Sequence, residues 1–376
     1  MRISMLSIVA ASGLLMASAE AQDSAIAVLK SAKTQSAAKN QAAMKELVAA
    51  GPKGLLPILN SFNGADPIAA NWLRAAFESS ASRIQSAGSK LPQELVAFVE
   101  DKDHKHDGRA RRLAFEWMAK ESPAIREKMI PTMLFDPFPD FRRDAIGLLI
   151  KEGNKQLEAG KDAVAKQTFE KALSATIHDD QVKLIMKPLK ELGREVNLQK
   201  HFGFLPEWSI VGPFNNKEGV GFAEVYPPEK KLDLKAELDG ESGKVKWAKF
   251  STDDDYGTVN IAKLIKNYKG SCMYATTEFH SAREREVEFR MATPNAWKLW
   301  VNGKVVFGRE EYHRTPSNLV MDVYRVPVKL KSGANRILLK VCQNEQDQSW
   351  AQRYQFNVRI CEESGVAVTP ARASEK

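Results

Sequence analysis

The sequence has few of the residues and motifs on which most enzyme sites depend. Its 376 residues include three cysteines and six histidines, and none of them has the spacing of zinc ligands. A Gly-x-Ser-x-Gly elbow, a glycine-rich phosphate loop and a His-Glu-x-x-His motif are all missing. The sequence therefore predicts a protein that is not an enzyme and has no cofactor, except for a structural calcium ion considered below.

Long apolar runs are also scarce. The one clear run, 5–16, is about a dozen residues long, which is too short for a transmembrane helix. Arg2 precedes it, and Ala17-Ser18-Ala19 and Ala19-Glu20-Ala21 follow it as small-x-small cleavage sites. This pattern predicts a signal peptide over 1–21, no membrane span, and export to the periplasm, the cell surface or the medium.

Charge of one sign is not concentrated anywhere. There are 55 lysines and arginines against 47 aspartates and glutamates, a net charge of +8. The two signs are mixed, as in 283–286 (Arg-Glu-Arg-Glu), and no basic stripe is interleaved with aromatic residues. The sequence therefore predicts no nucleic-acid partner, whereas a mildly basic exterior suits acidic polymers or a membrane surface.

The three cysteines are Cys272, Cys342 and Cys361. Export makes a disulfide feasible. Cys342 and Cys361 each end a strand-like segment, out of phase with its apolar residues, so we expect the two to meet on one face and to be able to form a bridge. The alternative is three separate buried or half-buried thiols.

Residues 22–150 are rich in Ala, Leu, Lys, Glu and Gln, with Gly and Pro breaking the pattern at regular intervals. This rhythm is typical of antiparallel helix pairs. Segment 112–121 also aligns with 143–152, which indicates an internal repeat and an α-solenoid. In 151–200, small residues at helical spacing predict one tetratricopeptide-like hairpin and a bridge to the next domain.

From 201 the apolar period changes from that of a helix to that of a strand. Val287, Phe289 and Met291 alternate with charged residues, and Trp297, Leu299 and Val301 alternate before the turn pair 302–303 (Asn-Gly). We therefore predict an antiparallel β-sandwich of the jelly-roll type over 201–365, followed by a disordered tail over 366–376. The fold class is multidomain α + β.

Several residues near the predicted hairpin and in a late loop combine aromatic rings with planar polar groups, the mixture that sugars require. These candidates are Trp300, Arg309, Glu310, Tyr312, Asn344, Trp350 and Arg353. The alternative is that Trp300 packs under a loop and the polar groups are solvated. Asp253 and Asp255 are candidate ligands of a structural calcium ion, with an ordinary solvated loop as the alternative.

Two resemblances add to this interpretation. Segments 44–59 and 142–145 resemble HEAT repeats over 38–150. Segments 208–214 and 299–304, with 221–222, 226–229 and 245–247, resemble galactose-binding-like and PA14-like sandwiches over about 204–362, in exported bacterial proteins of the planctomycete type. The resemblance implies non-catalytic binding of carbohydrate or of a cell surface.

These observations predict an exported, non-catalytic binding or scaffold protein. The β-sandwich would bind carbohydrate or a cell-surface polymer, and the helical repeats would bind a protein partner. One alternative is a pure protein-interaction scaffold with a structural β-domain. A second alternative is an accessory or catalytic protein in polysaccharide hydrolysis, since paired carboxylates leave no sequence signature.

Overall fold

Helices form the first part of the chain and antiparallel strands the second, as the change of period predicts. The computed structural model describes residues 20–101, 103–313 and 321–371. These residues form two compact units that divide between Ile185 and Met186. The predicted signal peptide, apart from its last residues, lies outside the described residues. None of the described helices is long and apolar enough to cross a membrane.

The first unit consists of helices of up to about six turns that begin at polar caps and prolines. Ser36 and Asp66 accept hydrogen bonds from the backbone of the first turns of their helices, and Pro67 occupies the first helical position. The helices are α1 (20–30), α2 (Ala37–Ala49), α3 (Leu55–Asn60), α4 (Pro67–Ser86), α5 (Glu94–Glu100), α6 (Gly108–Glu121), α7 (Ala124–Met129), α8 (Pro139–Glu158), α9 (Asp162–Ala175) and α10 (Asp179–Glu191), the last of which continues past the boundary between the units. The solenoid and its repeat families remain predictions.

Helices α8 and α9 approach each other closely at a glycine. A Cβ added to Gly153 would lie 2.7 Å from the ring of Phe169, so glycine is required by packing. Elsewhere in this unit the guanidinium of Arg111 is buried and binds the carboxylate of Asp136 through two nitrogens, at 2.7 and 3.1 Å. Such a pair satisfies a charge that would otherwise be costly to bury.

The second unit is built on two antiparallel sheets. The six-stranded sheet has the order β4-β1-β6-β11-β8-β9, the four-stranded sheet has the order β10-β7-β12-β5, and β2 and β3 pair by themselves. The strands are β1 (Glu207–Asn215), β2 (Glu237–Gly240), β3 (Gly243–Lys246), β4 (Ala248–Ser251), β5 (Val259–Asn260), β6 (Ser271–Ser281), β7 (Arg285–Ala292), β8 (Ala296–Val301), β9 (Lys304–Arg309), β10 (Tyr324–Leu330), β11 (Gly333–Gln343) and β12 (Gln355–Cys361). Short helices α11 (Leu198–Phe202), α12 (Val220–Ala223), α13 (Pro227–Lys230) and α14 (Ile261–Leu264) accompany them.

The two large sheets share one apolar core, which every second residue of their strands enters. Val287, Phe289 and Met291 of β7 face it, and so do Trp297 and Leu299 of β8. The predicted hairpin turn is confirmed between β8 and β9, where Asn302 and Gly303 have φ angles of 53° and 79°. The second unit is therefore an antiparallel β-sandwich; its jelly-roll class remains a prediction.

Part of the outer face of the six-stranded sheet is covered by residues 217–247, called here the covering segment. Outward-facing Phe214, Tyr274 and Leu338 pack with apolar side chains of this segment, among them Tyr226 and Trp247. The covering segment thus creates a second, smaller core on the outside of the sandwich. It leaves uncovered the part of the sheet where Glu278 of β6 and Arg336 of β11 lie.

The outer face of the four-stranded sheet holds a buried ion network. Asp322 accepts bonds from Arg359 at 2.6 Å and from Arg290 at 3.0 Å, and both guanidiniums are almost fully buried. The chain that follows β12 turns back beside that strand, where Val368 N donates to Ile360 O, and it then reaches β6 of the other sheet, where Ala371 N donates to His280 O. The predicted disordered tail is therefore wrong for residues 366–371, because backbone hydrogen bonds hold them to the strands.

The predicted bridge between Cys342 and Cys361 is wrong. All three cysteines are free and buried. Cys342 lies in β11 opposite Cys272 of β6, on the outside of the six-stranded sheet, whereas Cys361 lies in β12 of the other sheet. Both residues face away from the shared core, but from opposite sheets, so their outward faces point in opposite directions.

Candidate functional site

A groove crosses the end of the six-stranded sheet that the covering segment leaves open. It consists of two adjoining cavities of about 630 and 490 Å³. Leu232, Glu278 and Arg336 line both cavities, so the two are continuous. Their volumes lie in the range of sites that enclose small organic ligands.

Strand register brings the charged residues of the groove together. Glu278 of β6 stands directly opposite Arg336 of β11, and both point outward because their neighbours Phe279 and Ile337 enter the core. The covering segment contributes the apolar rim, Leu232 and Leu234. The groove therefore has a charged floor beside an apolar wall.

Four basic side chains line the groove, at exposed positions: Lys230, Lys249, Lys331 and Arg336. Within the described ranges, no hydrogen bond or ion pair engages their charged groups. Two exposed carboxylates accompany them: Glu207, and Glu278, whose Oε1 lies 2.7 Å from His280 Nε2. Exposed charges without partners are available to a ligand, whereas ion-paired charges first have to exchange a partner.

A third carboxylate, Glu229, reaches the groove from the covering segment. It lies in α13 and lines the cavity of about 490 Å³, with only 9% of its side chain exposed. Its Oε1 accepts hydrogen bonds from Tyr274 Oη and, at 2.8 Å, from Lys340 Nζ. Lys340 is fully buried and also donates to Phe222 O at 3.3 Å and Glu224 O at 2.6 Å.

This buried cluster (Glu229, Tyr274 and Lys340) fixes the position of the carboxylate. Burial, and then the hydrogen bond to Glu229, raise the pKa of Tyr274 well above its ordinary value, so its hydroxyl remains a donor. Lys340 supplies the opposite charge that a buried carboxylate requires. Glu229 is thereby held in one orientation at the wall of the groove.

Of the residues predicted for sugar binding, Trp300 alone lines this groove. It points away from the core, as its phase predicts, and only 6% of it is exposed. Its indole packs with Leu338 and the covering segment, in line with the alternative interpretation of a tryptophan beneath another segment.

Four other candidates, Tyr312, Asn344, Trp350 and Arg353, come together around a separate depression of about 10 Å³. That volume is the size of a single water site. The other two candidates lie elsewhere: Arg309 is paired with Glu311, and Glu310 lies near Gly219. Ligand binding by these residues remains a prediction.

The calcium site also remains a prediction. Asp253 lines a polar cavity of about 480 Å³, which does not include Asp255. The intervening Asp254 accepts backbone hydrogen bonds from Tyr256 and Thr258, both at 3.0 Å, and so closes its own turn. In the described part of the chain, no three His, Cys, Asp or Glu side chains converge as metal ligands.

Sequence reasoning missed Glu229, Glu278, Arg336 and Lys340. Alternation marks Glu278 and Arg336 as outward-facing, but their meeting depends on β6 and β11 being neighbours. Lys340 carries a detectable signal, because it is a lone charge between the apolar residues Leu338, Leu339 and Val341. A lysine in such a run is buried only with a partner.

No family model matches the chain, and no curated protein matches it. Among solved structures, it is similar to a β-glucosidase from Kluyveromyces marxianus, with 10% identity and a TM-score of 0.26 over 41% of this chain and 16% of that chain. It is also similar to a β-glucuronidase from Ruminococcus gnavus, with 12% identity and a TM-score of 0.26 over 43% of this chain and 28% of that chain.

These neighbours contradict the prediction of a non-catalytic binding or scaffold protein that is not an enzyme, because both are named as enzymes. The chain spans less than a third of either neighbour. At such low TM-scores and identities the likeness assigns no activity to this chain.

Proposed function

We propose that this protein hydrolyses glycosidic bonds of a saccharide bound in the groove. The observation that carries the proposal is the presence of two carboxylates, Glu229 and Glu278, on the wall of one cavity of about 490 Å³ that Trp300 also lines. Glycoside hydrolysis ordinarily requires two carboxyl groups on opposite sides of the bond that is cut. No metal or cofactor is needed for that chemistry.

The two carboxylates have different surroundings, and this difference suggests their roles. Glu278 is 46% exposed and is held through Oε1 by His280, so its other carboxyl oxygen is accessible to a leaving-group oxygen, as the role of general acid requires. Glu229 is held by Tyr274 and Lys340. A fixed carboxylate stabilises the positive charge that develops at the anomeric carbon in the transition state.

The rest of the groove suits a saccharide. The apolar rim of Leu232 and Leu234 offers a surface to the C–H faces of sugar rings. Ser209 of β1 offers a hydroxyl on the floor, whereas the hydroxyl of its register partner Thr276 on β6 is buried and donates to Ile337 O at 2.7 Å. Apolar walls with a few polar groups are the usual composition of a binding site.

The test is release of reducing ends by the purified protein from a panel of polysaccharides and aryl glycosides. We expect turnover, and we expect Glu278→Gln and Glu229→Gln each to lower kcat by about 100-fold or more. Glu284→Gln is the matched control, because Glu284 is an exposed carboxylate paired with Lys329 outside the groove. It should leave kcat unchanged.

Two results would overturn the proposal. One is the absence of product from the whole panel with protein that is folded by circular dichroism. The other is wild-type kcat in Glu278→Gln, a surface substitution that should not disturb folding. Binding of a saccharide without any turnover is an instance of the first result and would also overturn the proposal.

A further inference from the structure

We infer that the groove takes an anionic saccharide, one that carries carboxylate or sulfate groups along its chain. This inference rests on the proposed function for the reaction, but its basis is the charge of the groove. Lys230, Lys249, Lys331 and Arg336 line the two cavities, and no partner engages their charged groups within the described ranges.

The acidic residues of the groove compensate this charge only in part. Glu229 is neutralised from below by Lys340, which lies outside the groove and is fully buried. Glu278 has both His280 and its register partner Arg336 as neighbours. Glu207 and Glu278 therefore face four cations, and the net charge of the whole chain, +8, has the same sign.

The cations are spread along the groove and do not cluster at one point. Arg336 lies where the two cavities meet. Lys249 lies on β4, three strands from β11, which is about 14 Å across the sheet. Lys230 and Lys331 line the opposite cavity. Charges at intervals fit a polymer with repeated anionic groups better than one small anion.

A neutral sugar provides no reason for this arrangement. Unpaired cations in one groove repel each other, whereas uronate carboxylates and sulfate esters supply the missing counter-charges. A guanidinium at the centre is the group that pairs with either anion through two parallel hydrogen bonds. Carboxylate and sulfate share this chemistry, so the experiment has to separate them.

The probes are polygalacturonate, its fully methyl-esterified form and a sulfated galactan, with affinities measured by titration calorimetry on the whole protein. Esterification removes the charge and keeps the backbone, so polygalacturonate should bind at least about 10-fold more tightly than its ester. If the sulfated galactan binds and polygalacturonate does not, the anion is sulfate. Affinity should fall as salt rises from 50 to 300 mM, by about several-fold, because exposed charges are screened.

Substitutions assign the effect to the groove. Arg336→Gln should weaken binding of the anionic polymer by about 10-fold, and Lys249→Gln by about several-fold. Lys329→Gln is the control for net charge, because Lys329 lies on β10 of the other sheet; it should change affinity by less than about 2-fold. Equal loss in Arg336→Gln and in the control would mean non-specific attraction and would overturn the inference.

The outcomes also separate this inference from the proposed hydrolysis. Binding of an anionic polymer that is never cut would refute hydrolysis and leave the inference standing. Cleavage of neutral saccharides alone would leave hydrolysis standing and overturn the inference. Equal affinity for polygalacturonate and its ester, or no binding of either anionic polymer, would overturn it as well.

Discussion

Replacement of Lys340 by methionine is the sharpest test of how the outer face of the six-stranded sheet is held together. Lys340 Nζ bonds to Glu224 O at 2.6 Å, Glu229 Oε1 at 2.8 Å and Phe222 O at 3.3 Å, all in the covering segment. It also lies over the rings of Tyr226 and Tyr274, at 5.3 and 5.6 Å from their centroids. No water is needed to satisfy its three donors.

The magnitude follows from what the substitution leaves behind. Methionine fills the volume but leaves Glu229 nearly buried without a counter-charge, which typically costs about 3–5 kcal/mol. Two backbone carbonyls also lose a donor, although such costs do not add in full. We therefore expect Lys340→Met to lower the free energy of unfolding of the second unit by about 4 kcal/mol.

Two further variants make the result interpretable. In Lys340→Met/Glu229→Met the unpaired charge is gone, so the double variant should be more stable than Lys340→Met by about 2 kcal/mol. Lys298→Met is the matched control: Lys298 stands opposite Lys340 on β8, is partly exposed, and contacts the ring of Phe222 at 4.4 Å. It should cost less than about 1 kcal/mol.

The assay is urea unfolding at pH 7 followed by tryptophan fluorescence. Five of the seven tryptophans belong to the second unit, so its transition dominates the signal. Separate fits are needed where the two units unfold at different urea concentrations. The reasoning is refuted if Lys340→Met loses no more stability than Lys298→Met, or if the double variant is no more stable than Lys340→Met.

Two more predictions concern other buried contacts. Burial on its own raises the pKa of Asp322, but the hydrogen bond and charge of Arg359, with the second arginine of the network, outweigh it and hold that pKa below its ordinary 3.8. The ionised carboxylate therefore stabilises the fold fully above pH 3.8, and this stabilisation is lost as the pH falls through the lower pKa of the folded state. Urea titrations should show Asp322→Asn to be less stable than the wild type at pH 7, with the difference in unfolding free energy closing in acid. A difference that does not depend on pH would contradict this. Gly153→Ala should destabilise the first unit by about 1–2 kcal/mol despite better helix propensity, because the new Cβ meets the ring of Phe169. Gly147→Ala in the same helix, with its nearest atom at 4.0 Å, should be neutral or stabilising in the same thermal or urea melts; equal effects would refute the packing argument.

Periodicity predicted the elements of the sandwich well because each strand has one buried face. Val287, Phe289 and Met291 had to face a core wherever β7 was placed, and the Asn302-Gly303 pair had to form a turn. Such features depend on residues that are close in sequence. A single sequence is sufficient for them.

The candidate site depends on strand order, which alternation does not encode. Glu278 meets Arg336 because β11 lies beside β6, and a different order would separate them. The cysteine error has the same origin: phase correctly turned Cys342 and Cys361 outward, but it does not say which sheet each residue belongs to. The covering segment could not be predicted either, because its short helices have too few residues for a clear period.

The turn between β8 and β9 has a consequence for how the protein ages. An asparagine followed by glycine is prone to deamidation. The backbone nitrogen of the glycine attacks the side-chain amide carbon of the asparagine, and glycine has no side chain to hinder that attack. In this turn the Asn302 side chain is held at both ends: Nδ2 donates to Asn335 Oδ1 at 2.9 Å, and Oδ1 accepts from Arg336 N at 3.0 Å. Deamidation requires both hydrogen bonds to break. The amount of isoaspartate at position 302 would therefore measure how often the turn between β8 and β9, beside the groove, separates from β11.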